Sequence, residues 1–148
     1  MTTYWVRTAR AADLKAVREL ARRVRREFHL SVRATERASS PEAPDLLWVV
    51  EAGRGQIVGC CGVREGDGGA WELESLYLAP EWRGFGLGRA LVEEAVRSVQ
   101  RAGGLCLSCR VPGDLSEAIG LFRRLGFTDD RDGRPPGRVL VKALTRVS

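Results

Sequence analysis

Arg83-Gly-Phe-Gly-Leu-Gly88 sets three alternating glycines directly before a helical run. Glycine lets the backbone turn so that successive N–H groups face one concavity. The N-terminus of the following helix adds unpaired donors and the positive end of its dipole. Together these predict an anion site whose natural ligand is a phosphate or pyrophosphate. A mononucleotide P-loop would continue Gly-Lys-Ser/Thr, whereas Gly88 is followed by Arg89-Ala90. A dinucleotide G-x-G-x-x-G would need glycine at Arg89 or at Leu91, so both registers fail.

The other chemistry-capable residues point to packing. Cys60-Cys61 sit in an apolar run, and Cys106 and Cys109 form a C-x-x-C inside Leu105-Cys-Leu-Ser-Cys-Arg-Val111. That run reads as a strand, on which positions three apart face opposite sides. One metal cannot easily use both, and a redox C-x-x-C normally opens a helix. The cysteines read as small buried apolar residues. His29 is the only histidine, a surface residue near a helix end, and no metal is expected.

The elements that would position the glycine loop follow from periodicity. Tyr4–Thr8 reads as a strand. Asp13 caps a helix whose apolar face is Leu14, Val17, Leu20, Ala21, Val24 and Phe28. From Leu30 to Pro44 a short second helix and a loop are expected. Leu46–Ala52 and residues 56–64 make a hairpin around Gly53-Arg-Gly55, and residues 71–78 form a further strand. A helix is predicted over residues 86–102, ended by Gly103-Gly104, then a strand over 105–111. Asp114-Leu-Ser-Glu117 is a capping-box pattern opening a helix with Ala118, Leu121, Phe122 and Leu125 on one face. Residues 127–130 and 138–144 are the last strands. The order is that of an α/β sandwich with hairpins first and two crossover helices after.

Composition bounds the function. A chain of 148 residues, 44% hydrophobic and 29% charged, has enough apolar surface for a core and predicts one domain over residues 1–148. No run approaches ~18 apolar residues, so no membrane span is expected. The N-terminus lacks the basic stretch and apolar core of a secretory signal, which makes the cytoplasm the expected location. Net charge is +5, but residues 7–37 carry +6, 38–82 carry −6 and 83–148 carry +5. The acidic middle block argues against a continuous nucleic-acid footprint.

The R-x-x-G-x-G pattern followed by a helix resembles the acyl-CoA site of the GNAT superfamily of N-acetyltransferases. Arg7-Thr-Ala-Arg-Ala-Ala-Asp13 is similar to that family's first strand and helix cap. Glu72-Leu-Glu-Ser-Leu-Tyr-Leu-Ala-Pro80 is similar to its fourth strand, and Ala118-Ile-Gly-Leu-Phe-Arg-Arg-Leu-Gly-Phe127 to its last helix. The resemblance implies a mixed, mostly antiparallel central sheet of about seven strands with about four helices on both faces.

It also implies roles. Arg83, Gly84, Phe85, Gly86, Leu87 and Gly88 would wrap the pyrophosphate of acetyl-CoA, the co-substrate, with main-chain N–H groups. Leu76, Tyr77 and Leu78 would pair their backbone with the pantetheine arm like an added strand. That strand would splay from the next one, and an N–H near Leu76 would polarise the thioester carbonyl. Glu72 stands where many relatives place a base that takes the amine proton. Glu74, two residues on and on the same face, is the reserve. Phe122 stands where a tyrosine commonly protonates the departing thiolate, and Leu115 where an asparagine often contacts pantetheine; the chain contains no asparagine. Another group or water would then protonate the thiolate, or it would leave unaided. The implied activity is acetyl transfer to a primary amine on a small molecule or peptide. The alternative is a non-catalytic acyl-CoA-binding domain. A homodimer is common among relatives, and no nucleic-acid or membrane partner is expected.

Overall fold

The computed structural model describes residues 3–27, 44–111, 115–132 and 137–145. Apolar alternation and β-branched runs yield seven strands. They are β1 (Tyr4–Thr8), β2 (Leu46–Ala52), β3 (Gln56–Glu65), β4 (Ala70–Leu78), β5 (Cys106–Val111), β6 (Thr128–Asp129) and β7 (Arg138–Ala143). The helices are α1 (Leu14–Glu27), α2 (Leu87–Arg101) and α3 (Ser116–Arg124). The helix expected before Pro44, Phe28, His29 and the cap residue Asp114 lie outside the described residues. Three helices are therefore described where about four were expected.

The strands form one sheet in the order β1-β2-β3-β4-β5-β7-β6. Among the described strands, β4 and β5 alone pair in parallel, because α2 carries the chain back across the sheet between them. A side chain at Gly59 would touch Leu91 of α2, whereas Tyr77, register partner of the next residue Cys60, meets Arg25 of α1. Neighbouring strand residues face opposite sides, so α1 and α2 cover opposite faces. A Cβ at Gly88 would stand 3.3 Å from Leu121, which sets α3 beside α2. Leu91, Val92, Ala95 and Val99 of α2 are fully buried against Val58, Val63 and Leu107. Burying each such side chain contributes about 1.5–3 kcal/mol.

The start of α1 differs in detail from expectation. A 3-10 turn, Ala11–Asp13, precedes it, so Asp13 stands inside the first turn and not before it. Its carboxylate accepts the Arg10 N–H at 2.7 Å and both Arg7 guanidinium nitrogens at 2.8 and 3.0 Å. Arg7 also donates to Glu51 on β2. Asp13 therefore ties α1 to the sheet as well as closing its end.

Candidate functional site

The site begins with an irregularity in β4. Gly62 lies opposite Glu74 and Cys60 opposite Tyr77, which leaves Ser75 and Leu76 facing the single residue Cys61. This is a β-bulge. Ser75 adopts φ +57°, the one positive φ outside glycine among the described residues, at a cost of about 1–2 kcal/mol. The Cys60 thiol donates to the Ser75 carbonyl at 3.2 Å. The bulge has a trace in the sequence that simple alternation misses: apolar residues fall on odd numbers at Trp71 and Leu73, then on even numbers at Leu76 and Leu78.

Beyond the bulge the sheet opens. β4 and β5 pair from Ala70 opposite Cys106 to Leu73 opposite Cys109 and no further. β5 continues against β7 as far as Val111. From Glu74 onward β4 thus has a strand partner on one side only. The Ala79 N–H donates to the Val58 carbonyl at 2.8 Å, and main-chain groups in an antiparallel ladder alternate in direction. Tyr77, opposite Cys60, accordingly spends its main chain on β3. Leu76 and Leu78 direct theirs into the gap. Of the three residues expected to pair with a pantetheine arm, Leu76 and Leu78 present backbone there and Tyr77 does not. Tyr77 serves as a brace: Arg25 Nε donates to its hydroxyl at 3.0 Å and the guanidinium lies 5.5 Å from the ring centre. Burial pushes the Tyr77 phenol above its usual range.

The glycine loop follows at the end of β4. A 3-10 turn, Pro80–Trp82, leads into it. Gly84 and Gly86 take φ +86° and +77°, the left-handed region that glycine enters without penalty. A Cβ at either would meet nothing within 4 Å, so the loop opens onto free space. Ala90 is the first residue to bond back into α2, to the Gly86 carbonyl at 3.1 Å. The N–H groups of Leu87, Gly88 and Arg89 therefore lack an acceptor in the helix. Gly88 has a further reason to be bare, its approach to Leu121.

Two arginine–glutamate pairs pin this loop to α1. Arg23 meets Glu81 at 2.6 and 3.0 Å, and Arg83 meets Glu27 at 2.5 and 2.9 Å. Arg83 also donates to the Leu78 carbonyl at 3.0 Å. The Arg83 side chain is thus a brace for the loop, and its main-chain N–H is also taken, by the Pro80 carbonyl at 3.3 Å. Sequence reading had no signal for these pairs, whose members lie 56 and 58 residues apart.

The two carboxylates of β4 share the face that carries Tyr77, before the bulge changes the phase. They are not equivalent. Glu74, 10% exposed, receives Arg64 through Nη2 at 3.0 Å and Nε at 3.4 Å. Glu72 is exposed and makes no hydrogen bond or ion pair with a described residue. Its carboxyl is held above the usual range, first by partial desolvation on the sheet and then by the Glu74 charge, against the pull of Arg110 and Arg64. A carboxylate without a fixed partner and with a raised pKa can accept a proton. Glu74, occupied by Arg64, is the poorer candidate.

Phe122 lies in the core. It is 3% exposed and meets Phe127 edge-on at 5.1 Å. The position expected beside the thioester is thus filled by a ring that packs in the core. The cysteine expectation holds for Cys60, Cys61 and Cys109, which are buried, and not for Cys106, which is only partly buried. Burial pushes the Cys60 and Cys109 thiols up to about 12, so they stay protonated near neutrality.

The splayed parallel pair, the bulge and the glycine loop together match a known protein family. The family model of the acetyltransferase (GNAT) domain matches residues 43–129. The chain belongs to the GNAT family. It is 30% identical over 87 residues to the IAA acetyltransferase of Azospirillum brasilense, covering 58% of this chain and 57% of that protein. It is 31% identical over 101 residues to the peptidyl-lysine N-acetyltransferase YjaB of Escherichia coli strain K12, covering 68% of this chain and 60% of that one. The chain thus spans about three fifths of the length of these curated relatives. Its fold is similar to the PaiA N-acetyltransferase of Thermoplasma acidophilum in complex with coenzyme A. There the TM-score is 0.77 at 19% identity, over 95% of this chain and 99% of the other. The seven-stranded, mostly antiparallel sheet with helices on both faces is the GNAT fold.

Proposed function

We propose that this GNAT protein is an acetyl-CoA-dependent N-acetyltransferase that works by direct attack of an amine on the thioester. The observation that carries the reading is the gap between β4 and β5 leading into a glycine loop whose N–H groups lack acceptors. The residues suit the ligand: a pyrophosphate would take main-chain donors from residues 84–88, and a pantetheine amide chain would take Leu76 and Leu78 as an added strand. The Leu76 N–H would then face the thioester carbonyl as an oxyanion donor.

Glu72 is the proposed base. An acceptor ammonium near pKa 10 must lose a proton before it attacks. Glu72 takes that proton, directly or through water, and the amine nitrogen bonds to the acetyl carbon. The carbon–sulfur bond breaks and the nitrogen releases its second proton to water, giving an amide and a CoA thiolate, which takes a proton from water in turn. No tyrosine hydroxyl is asked for, consistent with Phe122 in the core. The acceptor is an amine on a peptide or a small molecule. Four free cysteines support a reducing, cytoplasmic setting.

Thiol release from acetyl-CoA, measured with the whole chain against small amines, antibiotics and N-terminal and lysine peptides, tests the reading. Acetyl-CoA binding with amine-dependent thiol release is expected. Binding without release for any amine would support the non-catalytic domain instead, and no binding would reject both.

A further inference from the structure

The acyl-CoA reading uses the main chain of the glycine loop and leaves its one large side chain unexplained. Phe85 stands at the apex of the loop between Gly84 and Gly86 and is 58% exposed. It is not a core side chain, and a Cβ at either flanking glycine would meet nothing within 4 Å. Yet the ring is not unsupported. Trp82 meets it at 6.0 Å with a 50° tilt, and Tyr4 of β1 braces Trp82 edge-on at 6.1 Å. Trp82 is itself held in place, because its neighbours Glu81 and Arg83 are the two residues anchored to α1. The result is an aromatic surface with a fixed backing, built into the loop that would hold a pyrophosphate.

We propose that Phe85, backed by Trp82, is the stacking platform for the adenine of the CoA ligand. This rests on the acyl-CoA reading of the same loop. In that ligand the adenine is joined to the pyrophosphate through one ribose, which places a planar π-system close to whatever side chain projects from the cradle. An aromatic ring is the side chain that gains most from such a neighbour, since a stacked base and ring remove each other's faces from water and orient one another. The platform would set how tightly the nucleotide end is held without touching the reacting atoms.

The test is a ligand truncation crossed with a side-chain truncation. Calorimetric binding of CoA, 4′-phosphopantetheine and adenosine 3′,5′-bisphosphate is measured on the whole chain, unmutated and as Phe85→Ala and Phe85→Trp. Phe85→Ala should weaken CoA and the adenosine bisphosphate by about tenfold while 4′-phosphopantetheine changes by less than about twofold. Phe85→Trp should keep CoA binding. Melting curves check that both variants fold. Equal weakening of 4′-phosphopantetheine would overturn the proposal, because the ring would then act by shaping the loop. Unchanged CoA affinity in Phe85→Ala would overturn it as well and leave the aromatic row as a surface for some other partner. An unmutated chain that binds none of the three would reject the acyl-CoA reading itself, and this inference with it.

Discussion

Phe122→Tyr separates two views of how the thiolate is protonated. The substitution adds one hydroxyl to a ring that is 3% exposed and packed edge-on against Phe127. The C-terminal turn of α3 closes over the same residue: the N–H groups of Leu125 and Phe127 donate to its carbonyl at 3.1 and 3.0 Å. A hydroxyl buried there without a partner costs about 1–3 kcal/mol. For a chain of this size each kcal/mol lowers the melting temperature by about 2–4 °C, so a fall of roughly 2–12 °C is expected. The rate of thiol release should not rise, because the ring is enclosed by packed side chains. Both quantities are measured on one purified variant, the melt by circular dichroism and the rate with a thiol reagent at saturating acetyl-CoA. An unchanged melting temperature with a faster rate would refute the argument. It would mean that the ring edge borders the sulfur and that this position can carry the acid that relatives place there.

Four further outcomes follow from the same geometry. Glu72→Gln should cut turnover by roughly 10²-fold with little change in acetyl-CoA affinity; an unchanged rate, with a collapse in Glu74→Gln, would move the base two residues along. Because Glu72 acts deprotonated and its pKa is raised, the acid limb of kcat/KM should lie above the ordinary carboxylate range, and Glu74→Gln should move it down by removing the like charge. Gly86→Val forces a β-branched residue into φ +77° and sends its side chain into the open side of the loop. The thermal stabilisation by acetyl-CoA, about 2.7 kcal/mol at a hundredfold excess over Kd, should then disappear. Asp13 is held at about 2, first by the Arg7 guanidinium and then by the Arg10 N–H. A depressed carboxyl stabilises the fold above its unfolded pKa, and that stability is lost as pH falls from about 4 through 2. Urea unfolding across that window should show a loss of about 2 kcal/mol that Asp13→Asn no longer shows.

Much of the fold was legible because it is written in local pattern. Strand alternation, the apolar face of α2 and the glycines at its start depend on residues within one or two turns of each other, and these fix element type with little help from elsewhere. The glycine loop at the start of α2 was legible for the same reason, since alternating glycine before a helix is a short-range signal. The choice between Glu72 and Glu74 was not. Both carboxylates face the same side of one strand, and what distinguishes them is Arg64 on β3, which stands opposite Glu72 in register but reaches diagonally to pair with Glu74. Arg83 was read as a main-chain donor to the pyrophosphate, and the fold occupies its N–H with the Pro80 carbonyl and its guanidinium with Glu27 on α1. Phe122 stood on an apolar helix face that could serve core, site or both, and only its neighbour Phe127, placed by the packing of α3 on the sheet, shows that it serves the core. The composition of a segment decides whether it forms a strand or a helix. Which of two identical side chains stays unpaired depends on residues tens of positions away, and it takes the folded chain to bring those together.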